Sequence, residues 1–318
     1  MTDNTFNVSQ LNKALLARRI PHDKFKKAFE RGKELIELSD LGMPGSGIMV
    51  FGPSGVGKTK LTFTLEEYAI KHYGKDSVVR TQLDTGATVK GAISSLLFAF
   101  GDPRSNYGTI PELSTRLKNT IKKRKCRLII IDEVQHLIPG GKPSKTLIDN
   151  ILNAFKILDD TGVSFLLAGM EDIMQLWIAD EQIRSRFQTT YFFDVLTYPQ
   201  DRRAWRGIVR SFIETIEQHG LTVECPEIED RCFAASKGAI RPLVLILTTA
   251  VSLAYKSNTT IITVEHLLKA AQKQIDKNDG KHNAFDVDRE IIDRFNKEAH
   301  SSRRLAPIAR PLSSILTA

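Results

Sequence analysis

The chain has 318 residues, 42% hydrophobic and 26% charged, which leaves room for one sizeable α/β domain and a smaller second one. Its apolar runs, such as Leu128–Ile131, are far too short to cross a bilayer. The Met1–Ser9 lead is polar rather than basic-then-apolar, so a cytoplasmic location without a membrane partner is expected. Forty-five basic against thirty-seven acidic residues leave a formal charge of +8, the footprint of a polyanion partner. Three cysteines, Cys126, Cys225 and Cys232, are too few for a disulfide framework and lack metal-ligand spacing, so they read as buried thiols.

Met1–Arg19 is a polar lead with Leu11, Leu15 and Leu16 at helical spacing. Asp23–Leu38 is a better amphipathic helix, with Phe25, Ala28, Phe29, Gly32, Leu35 and Ile36 on one face. Gly47–Phe51 reads as a buried strand and Lys60–His72 as a helix. Between them lies Gly52-Pro53-Ser54-Gly55-Val56-Gly57-Lys58-Thr59, a match to G-x-x-x-x-G-K-[ST] at every fixed position. The glycines let backbone N–H groups close around phosphate oxygens, Lys58 supplies a cation for the β- and γ-phosphates, and the Thr59 hydroxyl suits Mg²⁺. The pattern predicts binding of a nucleoside triphosphate, ATP, with Mg²⁺.

A second strand, Ser77–Leu83, leads through a polar loop, Asp84–Lys90, to the helix Gly91–Phe100. Another loop, Gly101–Thr109, opens a helix with Pro111 in its first turn and Lys122-Lys123-Arg124-Lys125 at its end, where cations suit the dipole. The strand Arg127–Ile131 is continuously apolar, as in a parallel sheet covered on both faces. It ends in Asp132-Glu133, where a Walker B motif places a carboxylate for Mg²⁺ (Asp132) and one to polarise the attacking water (Glu133). A helix Lys145–Asp160, a strand Val163–Ala168, a helix Glu171–Ile178 and a strand Thr190–Val195 complete a doubly wound three-layer pattern.

After Tyr198-Pro199 only helices are expected: Asp201–His219, Glu227–Ser236, Arg241–Tyr255 and Val264–Ile275, a small lid bundle. From Asp276 the chain turns polar, with one more helix over Asp286–Glu298. The end, Arg303–Pro311, reads either as a mobile tail or as a docking peptide. The expected organisation is thus an N-terminal extension (1–19), an α/β nucleotide-binding domain with a parallel five-stranded sheet (20–198), an all-α lid (199–275) and a polar tail (276–318).

Arginines stand at two places suited to phosphoryl transfer, in which a guanidinium stabilises charge on the equatorial oxygens. Arg184 and Arg186 precede the last strand, from where an arginine would reach into a neighbouring subunit's site. Arg241, in Gly238-Ala239-Ile240-Arg241-Pro242, would close over the nucleotide from the lid.

The P-loop, Asp132-Glu133, Arg186-Phe187 and Gly238–Arg241, with a helical lid, together resemble an AAA+ ATPase. Within that class Ile129–Leu137 (Ile-Ile-Ile-Asp-Glu-Val-Gln-His-Leu), Asp180-Glu181-Gln182 and Arg186-Phe187 resemble the TniB/TnsC family of transposition regulators, related in role to MuB and IstB. The resemblance implies Arg186 as an arginine finger in trans, with Arg184 the alternative, and Arg241 as the lid sensor. It also puts Ile20-Pro21-His22 on the adenine. One position departs from the pattern: the fourth strand ends Leu167-Ala168-Gly169-Met170, without the usual polar sensor residue, leaving Glu171 or Gln135 to replace it and slow or DNA-dependent hydrolysis to follow.

The resemblance further implies a homo-oligomeric ring or helical filament around double-stranded DNA, with transposase subunits of TnsA and TnsB kinds and a TniQ-like target selector as partners. Lys90, Arg104 and Thr109, with Thr85 and Thr88 as phosphate donors, are the DNA-contact candidates. Such contacts read backbone rather than bases, and no aromatic interleaving for base stacking is evident. Two other readings compete: a helicase loader or replication-initiation ATPase, and a nucleotide-switch adaptor with little turnover. About forty residues after the lid are too few for the DNA-binding domain usual in initiators.

Overall fold

The computed structural model describes residues 6–18, 23–274 and 283–301. The chain divides into two compact units, residues 21–194 and residues 1–20 with 195–318. Its first helix, α1 (Val8–Ala17), belongs to the second of these.

The α/β unit runs α2 (Asp23–Asp40), β1 (Gly47–Phe51), α3 (Lys58–Tyr73), β2 (Val78–Gln82), α4 (Val89–Ala99), α5 (Ile110–Arg124), β3 (Leu128–Asp132), α6 (Lys145–Leu158), β4 (Ser164–Gly169), α7 (Met174–Ala179), α8 (Glu181–Arg186) and β5 (Thr189–Phe192). The strands form one sheet in the order β2-β3-β4-β1-β5, every neighbour parallel. Continuous apolarity explains the central strands: Ile48, Met49, Val50, Leu128, Ile129, Ile130 and Leu166 are buried, as a strand covered on both faces requires. On one face α2 and α3 pack together, and Gly32 lets them approach, since a Cβ there would lie 2.5 Å from the Leu65 side chain. On the other, α4, α5 and α6 close over the sheet with Ile93, Leu97, Leu117, Ile151 and Phe165. The five-stranded parallel sheet and three layers are as the sequence predicts.

Parallel pairing aligns the carboxyl ends of the inner strands. Phe51 is in register with Gly169, Ile131 with Leu167, and Gln82 with Asp132. The turn after β1, the acidic pair after β3 and the end of β4 therefore share one edge, the usual ligand position of an open α/β sheet.

Local chemistry departs from the sequence reading in the segment before β5. The expected helix Glu171–Ile178 is a 3₁₀ turn over Glu171–Ile173 that runs on into α7, and a second six-residue helix, α8, follows where none is expected. Asp180 separates them, its carboxylate accepting from the Gln182 and Ile183 N–H groups at 2.8 and 3.0 Å, an N-cap. Six residues are too few for a helical period to be legible.

The second unit comprises α1, α9 (Arg202–Glu217), β6 (Thr222–Glu224), α10 (Ile228–Ser236), α11 (Ile240–Lys256), β7 (Ile261–Thr263), α12 (Val264–Gln274) and α13 (Arg289–Ser301). It is predominantly helical, yet β6 and β7 pair in parallel over three residues each. That corrects the expectation of helices alone; three-residue strands carry no visible alternation. Trp205, wholly buried, donates from Nε1 to the Glu229 carbonyl at 2.7 Å and meets Phe233 edge-on at 5.2 Å. The lead expected as a separate extension is part of this core: Leu11 and Leu15 are fully buried in it. Arg18 Nε also donates to Ser211 Oγ at 2.7 Å. Among the described residues no single helix is long and apolar enough to cross a membrane. The tail Arg303–Pro311 and the linker 277–281 lie outside the described residues.

Candidate nucleotide site

The turn Gly52–Thr59 bends through left-handed or extended-positive backbone at Gly52, Gly55 and Gly57, with φ of 148°, 82° and 104°. Gly52 is required twice over, because any Cβ there would collide with the Phe193 carbonyl, where the backbone leaving β5 bonds back to Phe51 O at 2.7 Å. Gly57 has open space around it and caps α3 with no side-chain hydrogen bond. The first turn of α3 therefore aims its N–H groups and the positive end of the helix dipole at the loop. Pro53, Ser54 and Val56 complete the loop.

Lys58 is 7% exposed, and its Nζ donates to the Gly52 and Pro53 carbonyls at 2.7 Å each. Burial lowers its pKa, opposed by the charges of Glu133, Asp132 and Glu171. Asp132 is fully buried. Desolvation raises its pKa, while hydrogen bonds from the Thr59 hydroxyl and the Glu133 N–H act the other way, the latter at 2.9 Å. A buried carboxylate beside a hydroxyl is an incomplete hard-ligand set, which fits Mg²⁺ carried in with phosphate oxygens and water. The described residues hold no cluster of three or more His, Cys, Asp or Glu side chains that could hold a metal ion.

Glu133 sits in left-handed backbone, φ 57°, which turns the chain sharply after β3. Its carboxylate accepts from Gln135 Nε2, and Gln135 Oε1 accepts from the Met170 N–H at 2.9 Å. Gly169 makes room for that amide: a Cβ there would lie 2.6 Å from Gln135 Oε1. Of the two replacements expected for the missing polar residue at the end of β4, Gln135 is the one whose amide lies against that end. Glu171 stands near Lys58, its pKa raised by burial and by Asp194 and Asp172.

The arginines fall differently. Arg186 does not project from the edge. It is paired with Asp159, its guanidinium lies 5.0 Å from the Phe155 ring and 5.7 Å from Phe165, and burial lowers its pKa. Arg184 donates to the Ile178 carbonyl at 2.9 Å and lies beside Trp177. Sequence spacing could not reveal the Arg186 engagement, since Asp159 and Phe165 are far away along the chain. Arg241 is exposed at the start of α11. The preceding Gly238, φ 73°, accepts at its carbonyl from Leu196 N–H at 3.0 Å, and a Cβ at Gly238 would strike the Leu196 carbonyl. Ile20 and His22, the adenine candidates, lie outside the described residues.

The two loops read as DNA contacts are exposed at Thr85, Thr88, Lys90, Arg104 and Thr109. The Lys90 charge reaches Glu112 at the start of α5, which places the loops side by side. Two of the threonines have local work: Thr88 Oγ1 caps α4 by accepting from Gly91 N–H at 3.0 Å, and the Thr109 N–H and hydroxyl both donate to Glu112. Tyr107 and Phe98 stand 76% and 75% exposed beside them, aromatic groups that the sequence reading had discounted. Arg116 braces that loop by donating to the Tyr107 carbonyl.

A parallel sheet in this strand order, a P-loop after its first strand, an acidic pair after the third and a helical unit beyond define an AAA+ P-loop protein. Solved AAA+ structures share the fold. The Aeropyrum pernix ORC1 protein in complex with DNA aligns at TM-score 0.64 and 16% identity over 86% of this chain and 71% of that one. The ORC2 protein of the same organism (ADPNP-ADP complexes) aligns at 0.63 and 15% over 82% and 72%. Domain III of the Thermotoga maritima replication initiation protein DnaA aligns at 0.55 and 15% over 86% and 98%. No curated protein sequence matches the chain. Residues 12–195 match the model of the Bacterial TniB protein family; the chain belongs to the TniB family.

Proposed function

We propose that the protein is an ATP-hydrolysing regulator of DNA transposition that assembles on double-stranded DNA and links target selection to the transposase. The observation that carries the catalytic part is the Glu133 carboxylate, held by Gln135 at the strand edge that also bears Lys58 and buried Asp132. Lys58 and the N–H groups at the start of α3 bind and orient the β- and γ-phosphates. Thr59 and Asp132 would hold Mg²⁺, which neutralises charge on phosphate oxygens when bound. Glu133 takes the proton of an attacking water. Arg186, with Arg184 as the alternative, completes a neighbour's site once its pair with Asp159 opens, and Arg241 reports the nucleotide to the helical unit.

Membership of the TniB family and the positive net charge support the DNA and transposition parts, with TnsA/TnsB-like transposase subunits and a TniQ-like selector as partners. The likeness to ORC and DnaA structures keeps a replication-initiation role as the competing reading; the family match favours transposition. Electron microscopy of the full chain with linear duplex and a non-hydrolysable ATP analogue tests the proposal. Rings or filaments on DNA are expected, and a protein that stays monomeric with no duplex shift at low salt refutes the assembly reading. A stable complex with a hexameric helicase would favour the loader instead.

A further inference from the structure

The outer face of α9 carries a row of arginines that nothing in the nucleotide site requires. The inner face buries Trp205, Ile208, Val209 and Phe212, which leaves Arg202, Arg206 and Arg210 in a row one turn apart, with Arg203 alongside. Together with Pro199, Gln200 and Gly207 they line one open groove.

Three observations argue that this row is not there for the stability of α9. First, Arg202 and Arg203 stand in the first turn, where the helix dipole opposes cations, and no acidic residue stands there to offset them. Asp201, which precedes the helix, instead turns its carboxylate to the Thr197 N–H and hydroxyl at 2.8 and 2.9 Å. Second, few carboxylates offset the four arginines: among the described residues two from α10 pair with them, and Asp293 of α13 adds its charge near Arg202. Asp230 pairs with Arg202 at 2.7 Å, and Glu229 is shared by Arg210 at 3.1 Å and Arg206 at 4.0 Å. Arg210 and Arg206 side chains remain 64% and 46% exposed. Third, Gly207 sits in mid-helix in the middle of the arginine groove. Glycine weakens a helix, yet a Cβ there would meet nothing within 4 Å. Packing therefore gives no reason for it, whereas close approach of a ligand to the backbone does.

We infer that this face of α9 binds the phosphodiester backbone of duplex DNA, as a contact additional to the Lys90 and Arg104 loops. Eight residues of helix rise about 12 Å, and successive phosphates of one strand rise about 3.4 Å along the duplex axis, so the row spans about three to four phosphate steps. A polyanion of regular spacing suits it better than a single anion, and contacts to phosphate alone carry no sequence preference. The inference rests on the proposed DNA-binding function.

The test is fluorescence anisotropy of a labelled random-sequence duplex with the full-length protein and an ATP analogue, titrated across salt concentrations. Arg203→Gln breaks no ion pair described for this chain and should lower the salt slope by about 0.9, and Arg203→Gln/Arg206→Gln/Arg210→Gln by about three times that. Gly207→Glu keeps every arginine and should weaken binding by placing a carboxylate in the groove, with the thermal melt unchanged or raised. Wild-type slopes in all three variants, alongside a reduced slope in Lys90→Ala/Arg104→Ala, overturn the α9 contact and leave the DNA reading intact. No duplex binding by the wild type overturns both. Wild-type slopes on DNA together with lost binding to poly-glutamate overturn the contact in favour of an acidic polypeptide.

Discussion

The Gln135 side chain joins Glu133 to the end of β4: its amide nitrogen donates to the Glu133 carboxylate and its oxygen accepts from the Met170 N–H at 2.9 Å. The catalytic carboxylate proposed for this site is therefore oriented by a residue two positions further along its own turn. Gln135→Ala is expected to lower turnover about tenfold or more while nucleotide affinity stays near wild type, and Glu133→Gln about 10²-fold or more. Steady-state ATPase assays beside nucleotide-binding titrations check both. Gly169→Ala should act like Gln135→Ala, because the added methyl falls 2.6 Å from Gln135 Oε1.

The pair between Arg186 and Asp159 makes opposite predictions for its two members. If Arg186 serves a neighbour's site, Arg186→Ala should reduce turnover of the assembled protein by about 10³, while Asp159→Asn, which frees the guanidinium, should preserve or raise it. A purely structural Arg186 would instead give two variants with lowered melting temperature and near-normal turnover per folded molecule. Turnover measured across protein concentrations, with thermal melts of each variant, separates the outcomes.

Leu11 and Leu15 are fully buried against the second unit. Leu15→Ala should destabilise that unit by about 2–5 kcal/mol, the range for removing a packed leucine side chain. Denaturant unfolding followed by hydrogen exchange at α9 and α11 would locate the loss. An effect confined to residues 6–18 would show that α1 merely rests on the bundle.

Burial pushes the Cys126 thiol up to about 12 and Cys225 to about 11, with Cys232 raised as well. At pH 8 the Cys126 thiolate is then about one part in ten thousand, so native protein should resist alkylation and all three cysteines should label after unfolding. The sign for stability is equally definite. A raised folded pKa favours folding below the unfolded value, and that contribution is lost as pH rises, because thiols of the unfolded chain ionise first. Melts between pH 8 and 10 should show a falling transition temperature, less so in Cys126→Ala.

The parts of this protein legible in the sequence are those encoded locally. Gly52–Thr59 requires its glycines within one turn, Leu128–Asp132 declares a covered strand by continuous apolarity, and the helix Ile110–Arg124 signals its start at Pro111 and its end at its cations. What stayed hidden depends on partners brought close only by folding. Arg186 reads as an edge residue until α6 delivers Asp159 and Phe155 to it. Gln135 reads as one of two candidates until β4 ends beside it. Thr88 and Thr109 read as DNA-contact candidates, and the caps they supply to α4 and α5 appear only in the folded chain, while Leu11 and Leu15 carry only a faint period in a polar lead.

Those two leucines also set a schedule. The segment 21–194 is spliced into the helical unit, whose first helix is made before it and whose remaining helices are made after it. During synthesis α1 emerges with its apolar face bare and must wait for Trp205, Phe212 and the α11 core to follow. The intervening α/β unit has all its own strands by Phe192 and can fold in that interval. The helical unit is thus the first begun and the last completed, and closing it across so long a gap is a slow, non-local step. A nascent chain that has emerged only through β5 would carry every strand of the α/β unit beside an amphipathic helix whose core partners have yet to appear.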